Sequence, residues 1–113
     1  MNAASTFGAR ETFRVYDTPQ PKENLVHDME HGGVIIWHNT TNLAVINELT
    51  AITNAAVNRQ EFVLMTPYPG MEPETIALTS WTRLDKFPAS QFNAQRVLNF
   101  ITAHHKRYNP EGF

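Results

Sequence analysis

The 113-residue chain contains no cysteine. Disulfides, thiolate metal sites and cysteine nucleophiles are therefore outside its chemistry. The absence does not fix a compartment, since a cysteine-free chain suits either side of a membrane. Long apolar runs are also missing: nothing approaches the roughly 20 residues that a membrane-spanning helix needs. Charge of one sign is scarce. Nine basic and eleven acidic side chains leave a formal net charge of −2, which makes no electrostatic case for nucleic acid or an anionic membrane. Residues 1–10 have no basic start followed by an apolar core, so they do not read as a signal peptide. Small and polar, they are expected to be poorly ordered. There are no internal repeats, no low-complexity tract and no glycine-rich phosphate cradle. No Ser-His-Asp order is persuasive either.

What is present suits one soluble globular domain with a single core: 42% of residues are apolar and 18% charged. Residues 1–24 read as an irregular N-terminal segment and residues 25–113 as one α+β domain. Glu11–Tyr16 alternates, with Phe13 and Val15 on one side, and suits a short strand. Asp17–Asn24 holds two prolines and reads as an extended connector. Leu25–His31 fits either one or two helical turns with Asn24 as N-cap, or an extended segment. Gly32 and Gly33 stop it in either case.

Val34–Trp37 is continuous and β-branched, as in a central strand covered on both faces. Leu43, Ile46, Leu49, Ile52, Ala56 and Val57 are spaced as the buried face of a helix, which Asn58–Gln60 ends. Phe62–Met65 is a second apolar strand, closed by Thr66 and Pro67. Thr75–Trp81 alternates as a third, expected to pair antiparallel with the second through the Tyr68–Pro73 loop. Asp85–Ser90 reads as a connector whose Ser90 caps a final helix. That helix bears Phe92, Val97, Phe100, Ile101 and His104 and reaches about Lys106, with Asn109–Gly112 as the stop. Strand-helix-strand-strand-helix implies a small mixed sheet with a parallel crossover. The arrangement is loosely like the second half of a thioredoxin-like sheet, a likeness of fold alone.

The chemistry concentrates in Leu25–Asn39, which carries three of the five histidines. His27 and His31, four apart, share one face of a helix and can share a metal ion. In an extended segment Met29 joins them, a set suited to copper(I). Glu30 can act as ligand, as partner to an imidazole N–H, or as base. His38 reaches back only if the Gly-Gly turn is tight. The competing reading is a pair of structural histidines that fix the loop. The His27-x-x-Glu30-His31 pattern also matches inverted zinc peptidases. Those enzymes need a long helix around the motif, and Gly32 and Gly33 end any helix at once. His104 and His105 point about 100° apart on a helix and read as an exposed helix end. Met65 and Met71 read as core filler and loop. Trp37 and Trp81 read as core aromatics, and Asp85, Glu72 and Glu74 as solvent-facing.

Tyr16–Pro19 and Leu25–Gly32, with Thr66–Gly70, Ala77–Trp81, Phe100-Ile101 and Asn109–Glu111, resemble the domain-of-unknown-function family 3105. Its members look like small bacterial secreted or membrane-tethered domains with a Val-His-x-x-Glu-His-Gly signature. The resemblance implies histidine metal ligands and an extracytoplasmic home. The chain departs from the family upstream, where Ser5-Thr-Phe-Gly8-Ala-Arg10 carries Arg10 in place of an expected histidine. If that histidine is a ligand elsewhere, this chain has lost one or uses His38 instead. The expectation is thus a domain binding copper or zinc through His27, His31 and Glu30, with Met29 or His38 added. The rivals are a metal-free interaction module, homo-oligomer or subunit of a larger assembly, and a zinc-dependent hydrolase.

Overall fold

The computed structural model describes residues 13–30, 32–81 and 83–104. In chain order these form α1 (Lys22–Glu30), β1 (Val34–Asn39), α2 (Leu43–Asn58), β2 (Val63–Pro67), β3 (Thr75–Ser80), β4 (Arg83–Pro88), a 3-10 turn (Ala89–Gln91) and α3 (Ala94–His104). The strands make one mixed sheet in the order β2-β1-β3-β4. With the helices this is an α+β fold, as the element pattern implies.

The most apolar strand lies inside the sheet. β1 is buried from Val34 through His38, pairing parallel with β2 on one side and antiparallel with β3 on the other. This corrects the expected pairing of the third strand with the second. The chain leaving β2 crosses the end of β1 before turning back, and β1 holds it there. The Tyr68 N–H donates to the His38 carbonyl at 2.8 Å and the Glu74 N–H to the Asn39 carbonyl at 2.6 Å. The Asn39 side-chain amide donates to the Met71 carbonyl at 2.7 Å.

A second correction concerns Asp85–Ser90, which is not a connector: Arg83–Pro88 is the edge strand β4, paired with β3. Only Phe87 of β4 is buried. Its charges and proline, which disguise it in the sequence, are the residues that an edge tolerates. Ser90 therefore falls in the 3-10 turn. The cap of α3 is Asn93, whose Oδ1 accepts the Gln95 and Arg96 N–H groups at 2.8 and 3.2 Å. α2 behaves as its spacing predicts, with Asn42 Oδ1 capping its first turn.

Strand alternation divides the core between the two faces of the sheet. Val34, Ile36, Met65, Ile76, Leu78 and Phe87 pack under Leu49 and Ala56 of α2 and Val97 and Ile101 of α3. Ile35, Trp37, Leu64 and Ala77 pack under Leu25 of α1, with Phe13 and Phe62; the last two rings stack at 4.7 Å. The strand expected over Glu11–Tyr16 is a single bridge in the described residues, Val15 alongside Met65. Trp81, read as a core aromatic, stands 54% exposed after β3. Glu11, the N-terminal ten residues, the end of the last helix near Lys106 and the Asn109–Gly112 stop lie outside the described residues. Among those described, no helix is long and apolar enough to cross a membrane.

Candidate functional site

The ambiguous stretch is a helix. α1 begins at Lys22, just after Pro21, whose carbonyl accepts the Asn24 and Leu25 N–H groups. Asn24 therefore lies within the first turn rather than capping it. Leu25 and Asp28, one turn apart, are its buried positions.

The glycine pair then does two separate jobs. Gly32 takes a φ of 94°, a region costly for any residue with a Cβ. Its N–H returns to the Met29 carbonyl at 2.9 Å, and the Gly33 N–H to the Asp28 carbonyl at 3.0 Å. That pair of bonds is the Schellman pattern, which satisfies carbonyls left open at a helix end. At Gly33 the constraint is space. A Cβ there would lie 2.4 Å from Phe13 Cε1 and 2.8 Å from the Asp28 carbonyl oxygen.

This local fold sorts the expected ligands. His27 and Glu30 share the outer face of α1, with side chains 66% and 51% exposed and Nδ1 to Oε1 at 4.0 Å. His31, the next residue, lies outside the described residues. Met29 is two positions from His27, about 200° around the helix, and packs instead against the Leu25–Trp37 cluster. The extended His-Met-His set is therefore not formed.

His38 is not brought in either. Its neighbours Ile35 and Trp37 face α1, so alternation turns His38 to the opposite face. It is also four strand residues, about 13 Å, beyond Val34. There it is buried at 7% exposure, with no hydrogen-bond partner for Nδ1; burial pushes its pKa below the ordinary imidazole value. Arg10 lies outside the described residues. Of the other sequence candidates, Met65 is core and Met71 packs at the core's edge. His104 stacks its ring 4.5 Å from Phe100, and His105 lies outside the described residues. Asp85 is held by Arg96 through two hydrogen bonds of 2.8 and 2.6 Å. Among the described residues no three of His, Asp and Glu converge on a single point.

One group went unnoticed in the sequence. Asp28 is 8% exposed, and its Oδ2 has no hydrogen-bond partner. Burial pushes its carboxyl up to about 6, with a smaller opposing pull from His27. It lines a cleft of about 250 Å³ together with Tyr16, Gln20, Asn24, Leu25, His27 and Leu64. Burial also raises the Tyr16 phenol; Arg14 opposes the rise and Asp28 adds to it. The available signal was the Leu25–Asp28 spacing of three, which places a carboxylate beside a core leucine only once α1 is taken as helical.

A family model described as a protein of unknown function, DUF3105, matches residues 5–112. No curated protein and no solved structure matches the chain. With nearly its whole length covered by that model, and an α+β domain built around the stretch that prompted the resemblance, the chain belongs to the DUF3105 family.

Proposed function

We propose that the chain binds a divalent transition metal ion, zinc or copper, at the C-terminal end of α1, with an extracytoplasmic home as the family resemblance implies. His27 and Glu30 are the described donors, and His31 supplies the second imidazole. One observation carries the reading: His27 Nδ1 and Glu30 Oε1 lie 4.0 Å apart on the solvent side of the helix end. A histidine follows one turn after His27 in the sequence. In the sequence the three donor residues are spaced i, i+3 and i+4, the spacing of neighbours on one helical face. The helix end adds a partial negative charge that favours a cation.

The donor chemistry is imidazole nitrogen and carboxylate oxygen, which suits zinc or copper(II). With Met29 turned to the core, no described thioether shares that face to favour copper(I). Three protein ligands leave a fourth position for water or for a donor from a partner. The function supported is metal binding, rather than a reaction.

The test is calorimetric titration of untagged, chelator-treated protein with Zn²⁺ and with Cu²⁺. Stoichiometric binding is expected in the wild type. His27→Ala and His31→Ala each weaken it by at least about tenfold with the circular dichroism unchanged, on the scale seen for lost metal-site contacts. Glu30→Gln weakens it less. Absence of binding, or binding that survives both histidine substitutions, overturns the proposal.

A further inference from the structure

The Asp28 cleft lies on the inner side of α1, around the helix from the Glu30 carboxylate. Its apolar lining comes from Leu25 and Leu64. Its polar lining is a phenol, two primary amides and an imidazole, from Tyr16, Gln20, Asn24 and His27. Asp28 is the only acid among these residues, and no lysine or arginine is among the described residues of the lining.

Asp28 is also a buried polar side chain whose hydrogen bonding is incomplete: Oδ2 has no partner and the residue is 8% exposed. Leaving such an oxygen unsatisfied costs free energy that a donor entering the cleft would recover. The terminal torsion of aspartate is broad and roughly two-fold, so a modest rotation offers either oxygen to the cleft. Gln20 already donates from Nε2 to the Thr18 carbonyl at 3.0 Å, which leaves its Oε1 as an acceptor. The side chains thus combine acceptors, one anionic group and an apolar base.

We propose that this cleft binds a small primary-ammonium compound, with Asp28 as the counter-ion and the hydrocarbon part of the ligand lying on Leu25 and Leu64. The chemistry separates this class from its neighbours. An alcohol of the same shape brings a donor but no charge. A quaternary ammonium brings charge but no N–H for Oδ2, and the described lining has a single phenol ring rather than the cage that recognises such groups. An anion meets the Asp28 carboxylate, with no lysine or arginine among the described lining residues to balance it. The volume, about 250 Å³, lies below the roughly 300–1,000 Å³ of drug-sized pockets, so the ligand is a compact amine. The inference does not depend on metal binding at His27, Glu30 and His31.

The experiment is a nitrogen-15 NMR titration of chelator-treated protein with n-butylammonium chloride, n-butanol and tetramethylammonium chloride. Butylammonium is expected to give saturable shifts at the amides of Tyr16, Asn24, Leu25, Asp28 and Leu64. Butanol and tetramethylammonium leave those amides unmoved at equal concentration. Asp28→Asn keeps the spectrum of a folded chain and weakens the amine by about tenfold or more, the scale of one charge-assisted hydrogen bond. His31→Ala, which tests the metal site alone, leaves amine binding unchanged. Equal shifts from butanol and butylammonium, or no saturable shift at these amides, overturn the inference. So does an Asp28→Asn chain that binds the amine as tightly as the wild type. The comparison of the three probes on the wild type stands even if the variant does not fold.

Discussion

Replacing Asp28 by Asn should make the protein more stable in neutral solution and leave it nearly unchanged in acid. The two side chains are almost the same shape, so packing around the cleft is kept and the charge is what changes. Burial raises the carboxyl from 3.8 to about 6 in the folded chain. The folded state therefore keeps a proton that the unfolded chain releases at lower pH. Stability contributed by this group is complete below 3.8 and is lost as the pH rises through about 6, because the folded chain must then carry a desolvated carboxylate.

A shift of about two units corresponds to about 3 kcal/mol at 1.36 kcal/mol per unit. About half of that remains if water from the cleft reaches the free oxygen. Asn carries no such burden. For a domain of this size 1 kcal/mol moves the melting temperature by about 4 °C. The variant should thus melt about 6–12 °C above the wild type near pH 8 and within about 2 °C of it near pH 3.5. The assay is thermal unfolding by circular dichroism across that range, in chelator so that no metal at His27 contributes. Parallel curves at all pH values would refute the reasoning, since they would mean that Asp28 is as well solvated folded as unfolded.

Four further outcomes follow from the same structure. His38 acts with the opposite sign: its lowered pKa gives stability that is complete above the unfolded value of 6.5 and fades as the pH falls below it, so His38→Gln should flatten the acid side of the wild-type melting profile. Gly33→Ala forces a Cβ to within 2.4 Å of Phe13 Cε1 and should cost about 1–3 kcal/mol, the overpacking range, read by urea unfolding. Arg96→Ala removes two hydrogen bonds to Asp85 and a guanidinium 4.1 Å above the Phe87 ring; because both charged side chains are partly solvated, the expected loss is about 1 kcal/mol. Asn42→Ala removes the cap of α2 and should cost about 1 kcal/mol, without moving either site on α1.

The elements that were readable in the sequence are those in which local pattern and tertiary environment agree. α2 has a periodic apolar stripe and a real cap, and β1 is β-branched and covered on both faces, so each is where it was expected. β4 was hidden because an edge strand is selected for what it exposes. Arg83, Asp85 and Lys86 read as a solvated connector, and only Phe87 reports the sheet. The partner of β3 was hidden for another reason. A loop of residues 68–74 can lead back beside β2 or across the end of β1, and local sequence does not distinguish the two. The hydrogen bonds from that loop to His38 and Asn39 decide it, and these join residues about thirty positions apart.

At the candidate site, one binary choice controls everything else. Read as extended, Leu25–Glu30 would put Met29 on the same face as His27, and the donors would be soft. Read as a helix, the same residues place Glu30 there instead, send Met29 to the core and bury Asp28 beneath Leu25. No residue in the stretch settles this alone, because its apolar positions form no long periodic stripe. What settles it is the glycine pair. Gly32 supplies the positive φ that ends a helix, and Gly33 lets the chain pass Phe13 closely enough to start β1 under α1. The helix in turn presents two faces of different chemistry from nine residues: imidazole and carboxylate outward, a desolvated acid inward. A ligand that neutralises Asp28 and a cation that binds His27 would each act on the same short helix, through side chains adjacent in sequence. The two should therefore compete electrostatically, with the metal weakening the amine. Repeating the amine titration in saturating Zn²⁺ measures that coupling, and an unchanged affinity would show that the two faces of α1 do not sense one another.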